Sequence, residues 1–100
     1  MSDEAEQADQ PVTVKVSGDF SFPLNAAFQA VLQRYPKGER TFVVDLEGVD
    51  ELDSSALGML LQLREHSRDG QALAIRNPSP AVRAVLAESA AQKLLRFSDA

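Results

Sequence analysis

The chain has 100 residues, 44% of them apolar, with 15 acids against 10 bases, a net charge of −5 and no cysteine. That length and apolar content suit one small domain around a single core. The missing thiols exclude disulfides, thiolate metal sites and thiol catalysis, in agreement with a reducing cytoplasm.

Residues 1–10 carry Asp3, Glu4, Glu6 and Asp9 and have almost nothing to bury, so they are expected to form a disordered acidic tail. They lack both the basic start and the apolar stretch of a secretory signal. The remainder, 11–100, holds 11 acids and 10 bases and is expected to be one nearly neutral domain. No basic patch interleaved with aromatics supports nucleic-acid binding. No apolar run approaches the roughly 20 residues that span a bilayer, so membrane insertion is not expected and a cytoplasmic protein is.

Val12 to Val16 alternates with period two and reads as a half-exposed strand. Gly18-Asp19 suggests a bend, and Phe20 and Phe22 before Pro23 suit an apolar staple at the start of a helix or else an exposed contact. Leu24, Ala27, Phe28, Val31, Leu32 and Tyr35 follow amphipathic helical spacing, which Pro36 and Gly38 stop. Thr41 to Leu46 is nearly all apolar, as expected of a central strand covered on both faces. A second helix is expected from about Ser54 to Arg68, ending before Asp69-Gly70. Leu57, Leu60, Leu61 and Leu63 would face the sheet. Ala72 to Ile75 reads as a short buried strand. Ser79 as N-cap and Pro80 at the first helical position then open a third helix with a core stripe of Val82, Val85, Leu86 and Ala90. Leu94 to Phe97 fits either an edge strand or a packed tail. The alternation is that of an α/β domain with a largely parallel sheet and right-handed crossovers, whose strand-to-helix loops usually carry function.

One such connection runs from Leu46 to Ser55, read here as an acidic loop that leads into two serines at a helix start. Asp53 or Ser54 suits an N-cap. A phosphate on serine there would add about −1.5 to −2 charge. The helix terminus would welcome it, yet Asp45, Glu47, Asp50, Glu51 and Asp53 lie within nine residues with no base among them. The expected consequence is a changed surface potential with little change in fold. Those carboxylates follow no recognised metal-binding spacing, so no metal site is expected. His66, the single histidine, stands twelve residues beyond Ser54 on the same expected helix. That is about 18 Å, out of reach of a general base. No nucleophile elbow or phosphate-binding glycine loop is present, so neither an enzyme nor a bound cofactor is expected.

The first strand running into Gly18-Asp19-Phe20, a helix, Val43-Val44-Asp45-Leu46 and the helix start Asp53-Ser54-Ser55-Ala56-Leu57-Gly58 resemble, in that order, the STAS domains, the family of bacterial anti-sigma factor antagonists. The likeness runs from Val12 to about Phe97. It implies a single-domain α/β fold, a STAS-like small mixed, mostly parallel sheet flanked by helices. It also implies a non-enzymatic partner switch. Unphosphorylated, such a protein binds an anti-sigma factor or serine kinase, or another signalling effector. Phosphorylated on the serine after the signature aspartate, it is released, and a PP2C-type phosphatase restores it. That serine corresponds to Ser54, with Ser55 as second choice. The partner-binding surface is expected to comprise Asp45, Glu47, Asp50, Glu51, Asp53, Ser55 and Ala56. Ala56 stands where a glycine is common, and the chain lacks the longer final helix of many members. The alternative implied function is an unphosphorylated STAS subunit of a transporter or lipid-trafficking complex.

Overall fold

The computed structural model describes residues 2–4, 11–68 and 73–98. A five-stranded sheet is ordered β1 (Ser2–Glu4), β2 (Val12–Phe20), β3 (Phe42–Leu52), β4 (Leu73–Arg76) and β5 (Leu95–Ser98). The short β1 pairs antiparallel to β2, and the other neighbours are parallel. Three helices connect the parallel strands: α1 (Asn25–Arg34), α2 (Ser54–His66) and α3 (Pro80–Glu88). Short 3-10 turns cover Phe22–Leu24 and Ala90–Leu94. The last strand is thus an edge strand. Part of the acidic N-terminus is a strand too, since ladder hydrogen bonds require no apolar side chain. The rest of that tail, residues 1 and 5–10, lies outside the described residues, as do Asp69, Gly70 and Ala72.

Each crossover steps to the next strand in the same direction. Right-handed connections of that kind place all three helices on one face. Burial agrees: Val12, Val14 and Val16 of β2 and Phe42, Val44 and Leu46 of β3 are buried. The intervening Thr13, Lys15, Ser17, Val43 and Asp45 are half-buried or exposed. The expectation that β3 is covered on both faces is therefore corrected. A continuous apolar run such as Phe42-Val43-Val44 does not require a second layer when neighbouring strands shield the open side.

The strand β3 also runs farther than its apolar residues suggest, and Glu47 to Leu52 is strand rather than loop. Lys15 to Ser17 on β2 spans two residues while the partners Asp45 to Gly48 span three. Gly18 to Asp19 likewise faces Val49 to Glu51. Each mismatch is a bulge that inserts one extra residue into β3. The buried positions accordingly move from Leu46 to Val49 in a step of three, which breaks the period-two pattern. The expected bend at Gly18-Asp19 lies within β2, opposite the second bulge of β3, and Gly18 takes a φ of 76° there. Gly48 sits close against β2: a Cβ there would lie 3.0 Å from Ser17 Cβ.

The core lies between the sheet and the helices. Phe20 ends β2 and stacks on Phe28 of α1 at 5.2 Å, stapling the helix to the strand that precedes it. The side chain of Phe22 is outside the described residues. On α2 the buried stripe is Ala56, Met59, Leu60 and Leu63. Leu57, expected to face the sheet, is half-buried and packs against this core, whereas Leu61, expected there too, is half-buried outside it. On α3 Ser79 caps as expected, its Oγ accepting from Val82 N at 3.2 Å, with Pro80 following. Val82 and Leu86 are buried, but Val85 is 45% exposed, which corrects its place in the core stripe. Ala90's side chain is not among those described. His66 is half-buried. It hydrogen-bonds the Tyr35 carbonyl and lies 6.2 Å from the Phe42 ring, tying the end of α2 to the end of α1.

Candidate functional site

The strand β3 delivers the chain to α2 with no intervening loop. Asp53 has extended backbone (φ −114°, ψ −176°), and its Oδ1 accepts from Ala56 N at 3.1 Å. This is N-capping geometry, one side-chain oxygen satisfying one of the otherwise unpaired first-turn donors. Asp53 N in turn donates to the Phe20 carbonyl at 3.2 Å, anchoring the cap to the end of β2. With the cap supplied by aspartate, Ser54 stands at the first helical position and is exposed. Ser55 follows it and is half-buried. Ala56 is fully buried.

The expected partner surface therefore needs correcting at two points. Ala56 has no exposed area to offer, because the third helical position points inward at the sheet. The five acids also do not gather around Ser54. The ladder pairs Asp45 with Lys15 and Leu52 with Phe20, five residues along β2, so at about 3.3 Å per residue Asp45 lies roughly 17 Å from the end of the strand that leads to Asp53. Asp45 sits mid-strand on the open face, in register between Lys15 and Arg76. Its Oδ1 accepts from Glu47 N at 3.0 Å, holding the first bulge. Glu47 is exposed beside it. Asp50 and Glu51 are exposed near the C-terminal end of the strand, closer to the serines.

What the fold does bring to the mouth of α2 comes partly from β2. Parallel pairing sets Asp19 opposite Glu51 and Phe20 opposite Leu52. A cleft of about 170 Å³ results, lined by Asp19, Phe20, Ser21, Glu51, Leu52 and Asp53. Its charged lining is three carboxylates and no base. Neither Asp19 nor Ser21 was expected here. Only the register of β2 on β3 identifies them, and the bulges hide that register from the sequence. Among the described residues no three carboxylate or imidazole groups converge as a metal site.

Ser54 also begins a second stripe along α2. Leu57, Gly58 and Leu61 fall three, four and seven residues after it, which is one helix face. Leu57 and Leu61 are half-buried and Gly58 is exposed, with open space where its side chain would be. The result is a partly apolar surface with a bare backbone patch, adjoining the acidic cleft. Among the described residues no helix is long and apolar enough to cross a membrane.

Comparison with known proteins agrees with this architecture. Residues 4–96 match the family model described as Mlab, STAS domain. A STAS-domain containing protein of Pseudomonas aeruginosa (strain UCBPP-PA14) is 40% identical over 90 residues, 89% of each chain. Among solved structures, the anti-sigma factor antagonist SpoIIAA in its unphosphorylated form superposes with a TM-score of 0.66. That match covers 99% of this chain and 87% of SpoIIAA at 21% identity, a likeness of fold. With a mixed sheet of four parallel strands and one antiparallel strand, three helices on one face and a family match over nearly its whole length, the chain belongs to the STAS-domain family.

Proposed function

We propose that this protein is a phosphorylation-controlled partner switch of the anti-sigma factor antagonist kind. Unphosphorylated, it docks an anti-sigma factor with serine-kinase activity, or another signalling effector, through the mouth of α2. Phosphorylation of Ser54 releases the partner, and a PP2C-type phosphatase resets the switch. The observation that carries the reading is the division of labour at the helix start. Asp53 makes the cap, so the exposed Ser54 hydroxyl is not needed for folding and is open to a modifying enzyme.

The physical effect of the modification follows from its setting. A phosphate brings about −1.5 to −2 charge to a site whose N–H groups and helix dipole favour anions, so α2 persists. The neighbour of Ser54, Asp53, lines the cleft together with Asp19 and Glu51, so the added charge stands beside a surface that is already acidic. A partner that approaches the Ser54, Leu57, Gly58 and Leu61 face then meets a different potential and a bulkier first turn. Catalysis by the chain itself has no support: His66 stands at the far end of α2 from Ser54, about 18 Å away.

The test is calorimetric titration of a candidate anti-sigma factor kinase with wild type, Ser54→Ala and Ser54→Asp. Wild type and Ser54→Ala are expected to bind alike and Ser54→Asp about tenfold or more weakly. Equal affinity of the alanine and aspartate variants contradicts the switch.

The acidity of the cleft favours a second reading. Three carboxylates with no base nearby make a phosphate an uncomfortable neighbour, which suits a STAS subunit of a transporter or lipid-trafficking complex that docks an ATPase unmodified. A kinase or phosphatase gene beside this one supports the switch, and an ABC transporter operon supports the alternative.

A further inference from the structure

Beyond Asp45, the described pairing of β3 is to β2 alone, because β4 ends at Arg76. The projecting end of β3 therefore faces α3 across a groove rather than another strand. That groove has a volume of about 260 Å³ and is lined by Asp50, Glu51, Leu52, Ala81, Val82 and Val85. Its floor is apolar and its charged rim is acidic. Val85, at 45% exposure, is the large hydrophobic side chain left exposed among the described residues. It belongs by spacing to the same stripe as Val82 and Leu86, yet it stands at the groove rather than in the core. The groove shares Glu51 and Leu52 with the cleft at the mouth of α2, so the two form one continuous surface.

We propose that this groove is a docking subsite for a protein segment that presents an apolar side chain flanked by lysine or arginine. The volume falls below the roughly 300–1,000 Å³ of small-molecule pockets, which suits one or two side chains. The carboxylates of Asp50 and Glu51 beside an apolar floor select a basic flank by charge complementarity and disfavour an acidic one. Val85, with the exposed Ala81 and half-buried Leu52 beside it, supplies the desolvated contact that carries affinity. The inference deepens the partner-docking reading and rests on it for the occupant's being a protein. It adds α3 to the recognition surface and gives the partner's chemistry.

Methyl NMR of the full-length chain tests it directly with two capped hexapeptides, two leucines flanked by lysines and two leucines flanked by glutamates. The lysine peptide is expected to shift the methyls of Ala81, Val82 and Val85 saturably, and the glutamate peptide about tenfold more weakly or not at all. Val85→Ser and Asp50→Asn/Glu51→Gln are each expected to weaken the lysine peptide several-fold with the fold intact by the same spectra. Equal shifts from both peptides, or none from either, overturn the proposal. So does a concentration-dependent shift of Val85 without peptide, which would assign the groove to a second copy of the chain. Kinase titration separates this from the switch itself. Binding that responds to Ser54→Asp but not to Val85→Ser leaves the switch standing and removes the groove. Peptide binding as described with no kinase binding does the reverse.

Discussion

Asp53 and Ser54 are adjacent, yet it is Asp53 that caps the helix, and separable measurements follow. Asp53→Ala removes the oxygen that accepts from Ala56 N and is expected to cost about 1 kcal/mol of stability, within roughly 0.5–2 kcal/mol, in a denaturant titration. Ser54→Ala touches an exposed residue that does not cap, and its cost is expected to stay within about 0.5 kcal/mol. A larger loss at Ser54 than at Asp53 would return the serine to a capping role and weaken its case as a free acceptor. Both residues were legible in the sequence as a helix start after a strand. Which of them caps was not, because aspartate and serine are near-equal caps and only backbone geometry chooses between them.

At the scale of elements, β3 carries the lesson. Glu47-Gly48-Val49-Asp50-Glu51 has the composition of a turn, and its one buried residue, Val49, follows Leu46 by three positions instead of two. The first bulge produces that step, and bulges leave no mark that composition can register. The helices were easier to recognise, since Phe28, Val31, Met59, Leu60, Leu63, Val82 and Leu86 keep helical spacing and Ser79-Pro80 is a direct start signal. Helical spacing misled at Val85, which is exposed beside the candidate site, and in part at Leu61, which is half-buried, whereas Leu57 packs against the core. Gly48 gives the bulged ribbon a sharp test. Gly48→Ala places a methyl 3.0 Å from Ser17 Cβ and is expected to destabilise by about 1–3 kcal/mol. Ser17→Gly in the same chain is expected to recover part of that loss, and simple additivity of the two changes would contradict the close approach.

For the whole molecule, one helical layer on one side of the sheet means that protection should follow position in the strand order. In hydrogen exchange, Val43 to Asp45 of β3, flanked by β2 and β4, is expected to exchange slowest, and the edge strands β1 and β5 fastest. Uniform protection across the sheet would argue for a second covering layer. The one-sided arrangement also brings the strand termini, the start of α2 and the exposed flank of α3 to one end, where the proposed recognition surface lies. A modification at that end changes the surface a partner reads without entering the core. Phosphopeptide mapping of the protein from its native cells tests that account most directly. The account predicts phosphate on the peptide containing Ser54, abolished by Ser54→Ala and retained in Ser55→Ala. Protein that stays unmodified under every growth condition, or phosphate that survives Ser54→Ala, would contradict it.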